Sequence, residues 1–568
     1  MTINFEIAEV EHMDQVKKLA QEVDLPRTIA KLLWLRRVRT FDEAIHFFQP
    51  NLTQLHDPFL MSGMEKAVTR IIHALKKNEP MMIYGDYDVD GTTGASLLYL
   101  ALTQLGGNVS YFIPDRMVDG YGITRSTIEK IHEKGASLII SVDCGITAVD
   151  EVDYAKEEHD LDFIICDHHK QGEDLPKAVA VLNPKRENCT YPFKDLAGCG
   201  VAFKFMQALY SRLNVDFEKI AQHLDLVALG SAADLVPLIG ENRIMVKDGL
   251  NRINRKTKVG IQALIHSAHI FGQEIRASSI LYNLAPRINA VGRMGNAQRA
   301  VQLLTSVHEK HAEQAAKILE EENTKRKVVE DKTYKEAISI IENKLLSENP
   351  KAFILYELGW HPGVIGIIAA RVVEKYNRPT IMLTVDDEGI ARGSARSTSE
   401  ISIYDAIAEC SDLVIDFGGH SHAAGLSIAK ENIKPFIERC TRMVTEACVT
   451  QETKQKLMVD AEIKLNEINP RFVRLVKLFS PFGPQNQQPI FVSKDVKVAG
   501  NVQVIKGRHL RFNIVDDSGH TFDLMCFNLS DAYELVEQKR NNLTIIYSIE
   551  ENYWRGKRSI QLRAKGIL

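Results

Sequence analysis

Three nearly uninterrupted apolar runs, at residues 81–84, 138–142 and 163–166, each stop abruptly beside an acid. Runs of this length without polar alternation predict strands buried on both faces, as in a parallel sheet. Helical segments at 91–105, 125–134 and 149–158 alternate with them, which predicts a βαβ domain. Residues 220–238 are largely apolar yet contain Asp225 and Asp234. Residues 308–346 are polar, favour helix and hold no proline or glycine; one continuous helix there would be about 60 Å long at roughly 1.5 Å per residue. A helix so long and so polar is expected to bridge two domains rather than sit in a core. A second α/β unit follows, with glycine-bearing segments at 391–397 and 418–425. Short strand-like runs at 490–492, 510–514, 521–527, 543–549 and 559–562, separated by turn residues, predict a small β-barrel. Residues 1 to about 60 mix short helical patterns with Pro26 and Pro50 and carry no obvious chemistry.

The length of 568 residues exceeds what one core supports, so several domains are expected. With a formal net charge of −4, any nucleic-acid surface must be a local basic patch. The eight cysteines include no C-x-x-C pair, and Cys144, Cys166 and Cys526 lie in apolar runs, which suits reduced core thiols and a cytoplasmic protein. No segment reaches the roughly 18 apolar residues of a membrane span and no secretory leader pattern opens the chain, so neither membrane insertion nor secretion is expected.

The acids at the strand ends change the picture. Asp86, Asp88 and Asp90 alternate within residues 85–91 and in extended backbone point to one side. Three carboxylates so close repel one another unless a cation neutralises them. The plain alternative is a cap and turn cluster before the helix at Thr92. That alternative weakens once Asp143, Asp167, His168, His169 and Asp234 are added, because a solvated turn gives no reason for acids at three strand ends. In open α/β sheets ligands collect outside the carboxyl ends of the strands, which points to one shared site. Mostly oxygen ligands with one or two imidazoles favour Mn²⁺ or Mg²⁺ over structural zinc. In the last block Lys506, Arg508, Arg511, Arg555, Lys557 and Arg558 interleave with His509, Phe512, Tyr553 and Trp554. Cations with exposed aromatics are what a single-stranded nucleic acid needs, against the bland reading of a solvated hairpin with core aromatics. Residues 325–327 on the long helix read as a solvated face.

Gly-Asp-Tyr-Asp-Val-Asp-Gly at 85–91, Val-Asp-Cys-Gly-Ile at 142–146, Asp-His-His at 167–169, Ala-Asp-Leu-Val-Pro-Leu at 233–238 and Gly-Gly-His at 418–420 resemble, in order, the motifs of the DHH phosphoesterases. Within that superfamily the chain resembles the bacterial single-strand-specific 5′ to 3′ DNA exonucleases, from about residue 25 to the end. The resemblance implies two α/β domains, DHH at 63–305 and DHHA1-like at 348–452, joined by a long helix at 306–347. An OB-fold barrel would occupy 457–568, and residues 1–62 would pack on the DHH domain. It implies two divalent cations, Mn²⁺ or Mg²⁺: Asp88 and Asp143 would hold one, and Asp90, Asp143, His168 and Asp234 the other. Many relatives carry a histidine where this chain has Tyr84, which leaves the first ion short of a ligand that Asp86 would replace. His169 would contact the scissile phosphate or the leaving oxygen, with Asp143 and Asp167 counted in the catalytic set and Asp167 able to orient an imidazole.

Arg116, Ser394 and Arg396 look like the pocket for a terminal 5′-phosphate, since guanidinium forks suit phosphate oxygens. His420 is a further substrate contact, His422 is structural, and Arg287 and Arg293 are additional phosphate contacts. Trp360 and His361 would stack on a base or simply pack. The implied activity is metal-dependent removal of nucleotides from the 5′ end of single-stranded DNA, in repair and recombination, by a monomer assisted by a helicase and a single-stranded-DNA-binding protein. Two rivals remain: a DHH-family phosphodiesterase of short oligonucleotides or cyclic dinucleotides, disfavoured by the terminal barrel, and a non-catalytic DNA-binding scaffold, disfavoured by the intact acid set.

Overall fold

The computed structural model describes residues 4–448 apart from 117, 121, 256 and 387, and residues 456–568 apart from 555 and 556; the side chains of 348, 448, 552–554, 557 and 558 also lie outside the described residues. Five parallel strands form the first sheet, in the order Val109–Phe112, Met81–Gly85, Leu138–Val142, Asp162–Cys166, Ala180–Leu182. Every residue of Met81–Gly85 and Leu138–Val142 is buried, as a sheet covered by helices on both faces requires. Met81, Ile83, Leu138 and Ile140 enter one core, and Met82, Tyr84, Ile139 and Phe163 the other, following the two-residue alternation of a strand. The register sets Gly85 beside Val142, Val142 beside Cys166 and Cys166 beside Leu182. Four strands therefore end level, and the residues that follow them, Asp86, Asp143, Asp167 and Asn183, share one edge.

The long helix runs over Glu309–Ile340, 32 residues, or about 48 Å at roughly 1.5 Å per residue. It is shorter than the sequence pattern predicts because the backbone leaves α-helical geometry over Ile341–Leu345 and Leu346–Glu348. Its first turns bury Ala312, Ala316 and Leu319 in the core of the first domain, and its end buries Ala337 and Ile341 against Phe353, Leu355 and Ile368 of the next. The second sheet has the order Asp416–His420, Ala423–Ala429, Ile390–Arg396, Thr380–Val385, Phe353–Leu358. Only its last pair is parallel.

In the terminal block Phe491–Ile505 pairs with both His509–Val515 and Leu543–Trp554, and Thr521–Cys526 and Lys557–Ile567 complete the ring, so the barrel closes. Closure leaves no free edge to be managed. The N-terminal segment departs from expectation. Val16, Leu19, Ile29, Leu32, Leu33 and Trp34 share a core with Phe472, Phe479, Phe491 and Leu543 of the barrel block, and Phe5–Ile7 pairs in parallel with Leu457–Val459. Only the stretch around Leu52, Leu55 and Phe59 lies against the DHH core. The physical reason is complementarity: the barrel block offers an apolar patch that the short N-terminal helices cover.

Among the described residues no helix is long and apolar enough to cross a membrane. The seven cysteines with described side chains are buried free thiols.

Arg36 fastens the N-terminal segment. Its Nε donates to Asn486 Oδ1 at 2.8 Å, Nη2 to the Gln487 carbonyl at 2.6 Å and Nη1 to the Leu32 carbonyl at 3.0 Å, over the ring of Phe479. Arg36→Ala should cost about 1.5–3 kcal/mol, the worth of a hydrogen bond to a charged group. Thermal unfolding followed by barrel-specific hydrogen exchange checks this; unchanged protection in the barrel would mean that the segment does not brace it.

Candidate metal centre

Each acid is held by a local device. Asp88 caps the helix Val89–Gln104, its carboxylate accepting the Gly91 N–H at 3.0 Å. Asp90, two residues on in the first turn of that helix, accepts the N–H groups of Gly198 at 2.6 Å and Cys199 at 3.0 Å. Those two residues begin the helix Gly198–Arg212, whose N-terminal partial positive charge favours an anion. Asp143 sits in left-handed backbone, φ +63°, a conformation that aspartate tolerates better than most residues. The helices close tightly on these carboxylates: a Cβ at Gly198 would lie 2.8 Å from that of Asp143, and one at Gly230 would lie 2.8 Å from Asp90 Oδ1. Asp234 follows the helix Leu224–Ala233. Asp225 is spent elsewhere, paired with Lys258 at 2.5 Å.

The ligand atoms fall into overlapping clusters, each within 4.8 Å: Asp86, Asp88 and Asp143; Asp90, His168 and Asp234; Asp143, His168 and His169. His168 Nε2 lies 3.1 Å from Asp143 Oδ1, 3.7 Å from Asp234 Oδ2 and 3.9 Å from Asp90 Oδ2. Asp143 thus touches both halves. Asp167 is not a member of these clusters but holds one: its Oδ2 accepts the Ile146 N–H at 2.9 Å, and its Oδ1 accepts the N–H groups of His168 and His169 and bonds the Nδ1 of His169 at 2.7 Å.

Electrostatics explain what the cluster lacks. Burial, then the neighbouring Asp88, pushes Asp86 up to about 8, and burial with Asp90 and Asp88 pushes Asp234 up to about 8. Burial and the surrounding acids raise Asp143 well above the usual carboxylate range, and burial raises Asp90. Burial lowers His168 to about 4, so it is a neutral imidazole with a lone pair to give. His169 differs. Against its burial, the hydrogen bond and charge of Asp167 raise it to about 9, and Asp167 itself, though buried, is drawn down to about 2 by the same partner. Asp86 Oδ1 is buried with no hydrogen-bond partner. A set of crowded carboxylates with a neutral imidazole and an orphaned carboxylate oxygen fits divalent cations of the Mn²⁺ or Mg²⁺ class. Tyr84 does not join this set: its hydroxyl donates to the Gly122 carbonyl at 2.7 Å, and burial keeps the phenol protonated.

Opposite the metal edge, Arg116, Arg293 and Arg396 converge. Burial, then Arg116, Arg326 and Arg396 among its neighbours, lowers Arg293 to about 10, and burial with Arg116 lowers Arg396. Ser394 Oγ accepts from Arg396 Nη1 at 3.0 Å, and Arg293 Nη1 donates to the Gly363 carbonyl at 3.0 Å. His361 caps the helix Pro362–Tyr376 through the Gly363 N–H. Guanidiniums crowded in this way favour an anion between them. His420 is exposed and pairs across the sheet with Ala423, which pairs in turn with Arg396; burial, then His422, Arg396 and His169, lower its imidazole. His422 Nδ1 meets the Thr398 carbonyl at 3.3 Å.

Several expectations are corrected. Arg287 is not a phosphate contact: its Nε pairs with Glu320 on the long helix at 2.5 Å and its other nitrogens meet the carbonyls of Asn283 and Ser267. Trp360 is buried and donates to Glu336 Oε2 at 2.9 Å, so it packs rather than stacks on a base. Phe512 is only 3% exposed and belongs to the barrel core. Arg508 is exposed, and Arg511 is exposed but paired with Asp523 at 2.9 Å. The side chains of Tyr553, Trp554 and Lys557 lie outside the described residues, as does Arg555 entirely.

Two features escaped the sequence reading. Phe527 is 41% exposed, with Arg563 4.7 Å from its ring centroid and His509 beside it, a cationic aromatic platform on the barrel. Asn183 and Lys185 stand at the fourth strand end, signalled only by the apolar run 178–182 that stops at Asn183.

Comparison with known proteins agrees with this architecture. Residues 80–231 match the DHH family, N-terminal domain, residues 349–446 the DHHA1 domain and residues 459–566 the RecJ OB domain. The chain is 36% identical over 559 residues to the single-stranded-DNA-specific exonuclease RecJ of Bacillus subtilis (strain 168), covering 97% of this chain and 69% of that protein. It is 32% identical to the protein of that name from Escherichia coli (strain K12), covering 95% of each. The crystal structure of RecJ in complex with Mn²⁺ from Thermus thermophilus superposes with a TM-score of 0.84 at 26% identity, covering 100% of this chain and 79% of that one. On sequence, domain order and fold together, the chain belongs to the RecJ family of the DHH superfamily.

Proposed function

We propose that the chain is an exonuclease that hydrolyses single-stranded DNA from its 5′ end with two divalent cations. The observation that carries this reading is that Asp143 clusters with Asp86 and Asp88 and lies 3.1 Å from His168 of the Asp90, His168 and Asp234 cluster, set against a guanidinium pocket that suits one terminal phosphate. Asp86, Asp88 and Asp143 would hold one cation, and Asp90, Asp143, His168 and Asp234 the other. When bound, two such cations supply a nucleophile at neutral pH and neutralise charge developing on the phosphate. Arg116, Ser394, Arg396 and Arg293 bind the 5′-phosphate, and His420 bridges from there to the scissile group. His169, kept protonated by Asp167, donates a hydrogen bond to the scissile phosphate while the bond to the 3′ oxygen breaks. Fixing the end phosphate at one distance from the cations makes the cut an end-directed one.

Arg508, Phe527 and Arg563 give the barrel a surface for the trailing strand. The reaction calls for a helicase to open duplex ends and a single-stranded-DNA-binding protein that shares the substrate. One chain supplies every group of the site, as a monomer would. Free buried thiols suit the reducing cytoplasm.

Asp143→Ala should abolish hydrolysis while the protein stays folded, because it removes the residue common to both cation sites. Digestion of 5′- and 3′-labelled single strands with Mn²⁺ checks this; residual activity above about one per cent of wild type defeats the two-cation assignment.

Metal-free protein should lose thermal stability as pH rises from about 5 to about 8 and level off above that. Asp86 and Asp234 have folded values near 8, above their unfolded values, so their contribution is present at low pH and is lost as pH climbs through 8. Mn²⁺ at about one hundred times its dissociation constant should restore about 2.7 kcal/mol. A melting temperature indifferent to pH and to Mn²⁺ would contradict this.

Arg116→Ala and Arg396→Ala should each cost about 1.5–3 kcal/mol of capture of a 5′-phosphorylated end, the worth of one charged hydrogen bond. Kinetics on 5′-phosphate and 5′-hydroxyl strands decide it. If both variants treat the two ends as wild type does, the pocket holds something other than the end phosphate.

A further inference from the structure

The metal edge has two flanks with different chemistry. Arg116 follows Val109–Phe112 at one edge of the sheet, on the side of the end pocket, whereas Lys185 follows Ala180–Leu182 at the other edge, beside the strand that ends before His168, whose Nε2 lies 3.7 Å from Asp234. Lys185 is fixed there by its backbone: the buried Asn183 donates from Nδ2 to the His169 carbonyl at 2.8 Å and accepts the Lys185 N–H on Oδ1 at 2.8 Å. Among the described residues no carboxylate forms an ion pair with its ammonium, and the side chain is exposed.

On the same flank, directly after Asp234, Leu235 is 51% exposed and holds left-handed backbone, φ +59°. A leucine in that conformation carries roughly 1–2 kcal/mol of strain, and an apolar side chain left in water forgoes its burial energy. Strain of this kind at a site rim is retained where the surroundings over-determine it. Here the chain is tied immediately beyond: Leu238 donates its N–H to the Pro484 carbonyl at 2.9 Å, in the segment that leads into the barrel.

We infer that Lys185 and Leu235 form a subsite for the nucleotide just 3′ of the cut. This rests on the exonuclease reading above. A strand whose 5′-phosphate sits at Arg116 and Arg396 crosses the cations and leaves past Asp234. Its second nucleotide then meets Leu235 with the face of its base, and the next phosphate along meets the Lys185 ammonium. The subsite accepts any base, because an aliphatic side chain contacts every base face alike.

The test uses the full chain with Mn²⁺ and short 5′-phosphorylated thymidine oligonucleotides. Adding a 3′-terminal phosphate to the dinucleotide should raise kcat/KM about tenfold in wild type, one charged hydrogen bond's worth, and have almost no effect in Lys185→Met. In a longer strand, an abasic second position should lower kcat/KM about fivefold in wild type and have no effect in Leu235→Gly. Glycine accepts the left-handed backbone, so that variant keeps its fold; circular dichroism and Mn²⁺ titration verify it. Losses of equal size on every substrate, or sensitivity to the first or third base instead of the second, overturn the subsite alone. A wild-type chain that leaves all these strands intact overturns the exonuclease reading, and the subsite with it.

Discussion

Repulsion among Asp86, Asp90 and Asp143, buried together at one sheet edge beside the half-buried Asp234, is the constraint around which this chain is built. Burying a carboxylate costs several kcal/mol even after relaxation, and burying three side by side multiplies the cost. The fold meets it in stages. Backbone N–H groups at the start of Gly198–Arg212 compensate Asp90, and the helix cap compensates Asp88. Glycines at 198 and 230 let helices close over the cluster where any side chain would collide with it. What remains uncompensated is negative charge that divalent cations would neutralise, and it is why burial and the neighbouring acids raise Asp86, Asp143 and Asp234 above the usual carboxylate range.

The second constraint is distance. A cluster that cleaves phosphodiesters is end-specific only if something measures from the end, and the groups proposed to do so are drawn from both domains. Ser394 and Arg396 sit on the second sheet, while Arg116 and Arg293 belong to the first domain. Arg293 reaches across to the Gly363 carbonyl, and Glu330 on the long helix joins Arg326 beside it to Arg371 of the second domain, at 3.0 Å each. The helix carries apolar positions for both cores, so it fixes the spacing as a strut rather than as a tether.

Asp86, Asp143 and Asp167 were legible because each directly follows a buried strand, and buried strands announce themselves as apolar runs. The level register that gathers them is also a sequence property, since parallel strands of similar length with short crossovers tend to end together. Asn183 was harder: its strand is three residues long and merges with a loop. Phe512 was misjudged although the two-residue alternation held the answer, with Leu510, Phe512 and Ile514 on one face and His509, Arg511 and Asn513 on the other. Arg287 could not be read, because its partner Glu320 lies on a different helix and nothing local marks the pair. The N-terminal segment failed for the same reason: its apolar faces fit several surfaces, and only the folded barrel block shows which one they cover.

That misplacement has a mechanical consequence. The barrel is braced by the N-terminal helices on one side and attached at 478–486 to the helix Gly240–Arg255 on the other, where Arg243 donates to the Leu478 carbonyl at 3.0 Å and lies over Phe47 of the N-terminal segment. Removing the barrel would strip the apolar face from residues 16–38, so a truncated chain would expose a core as well as lose a binding surface. Point changes at Arg508, Phe527 and Arg563 leave that core intact. The attachment also lies a few residues beyond Asp234, so under the proposed function a strand held by the barrel would meet the metal edge in a direction set by the contacts of residues 238–243 with 478–486.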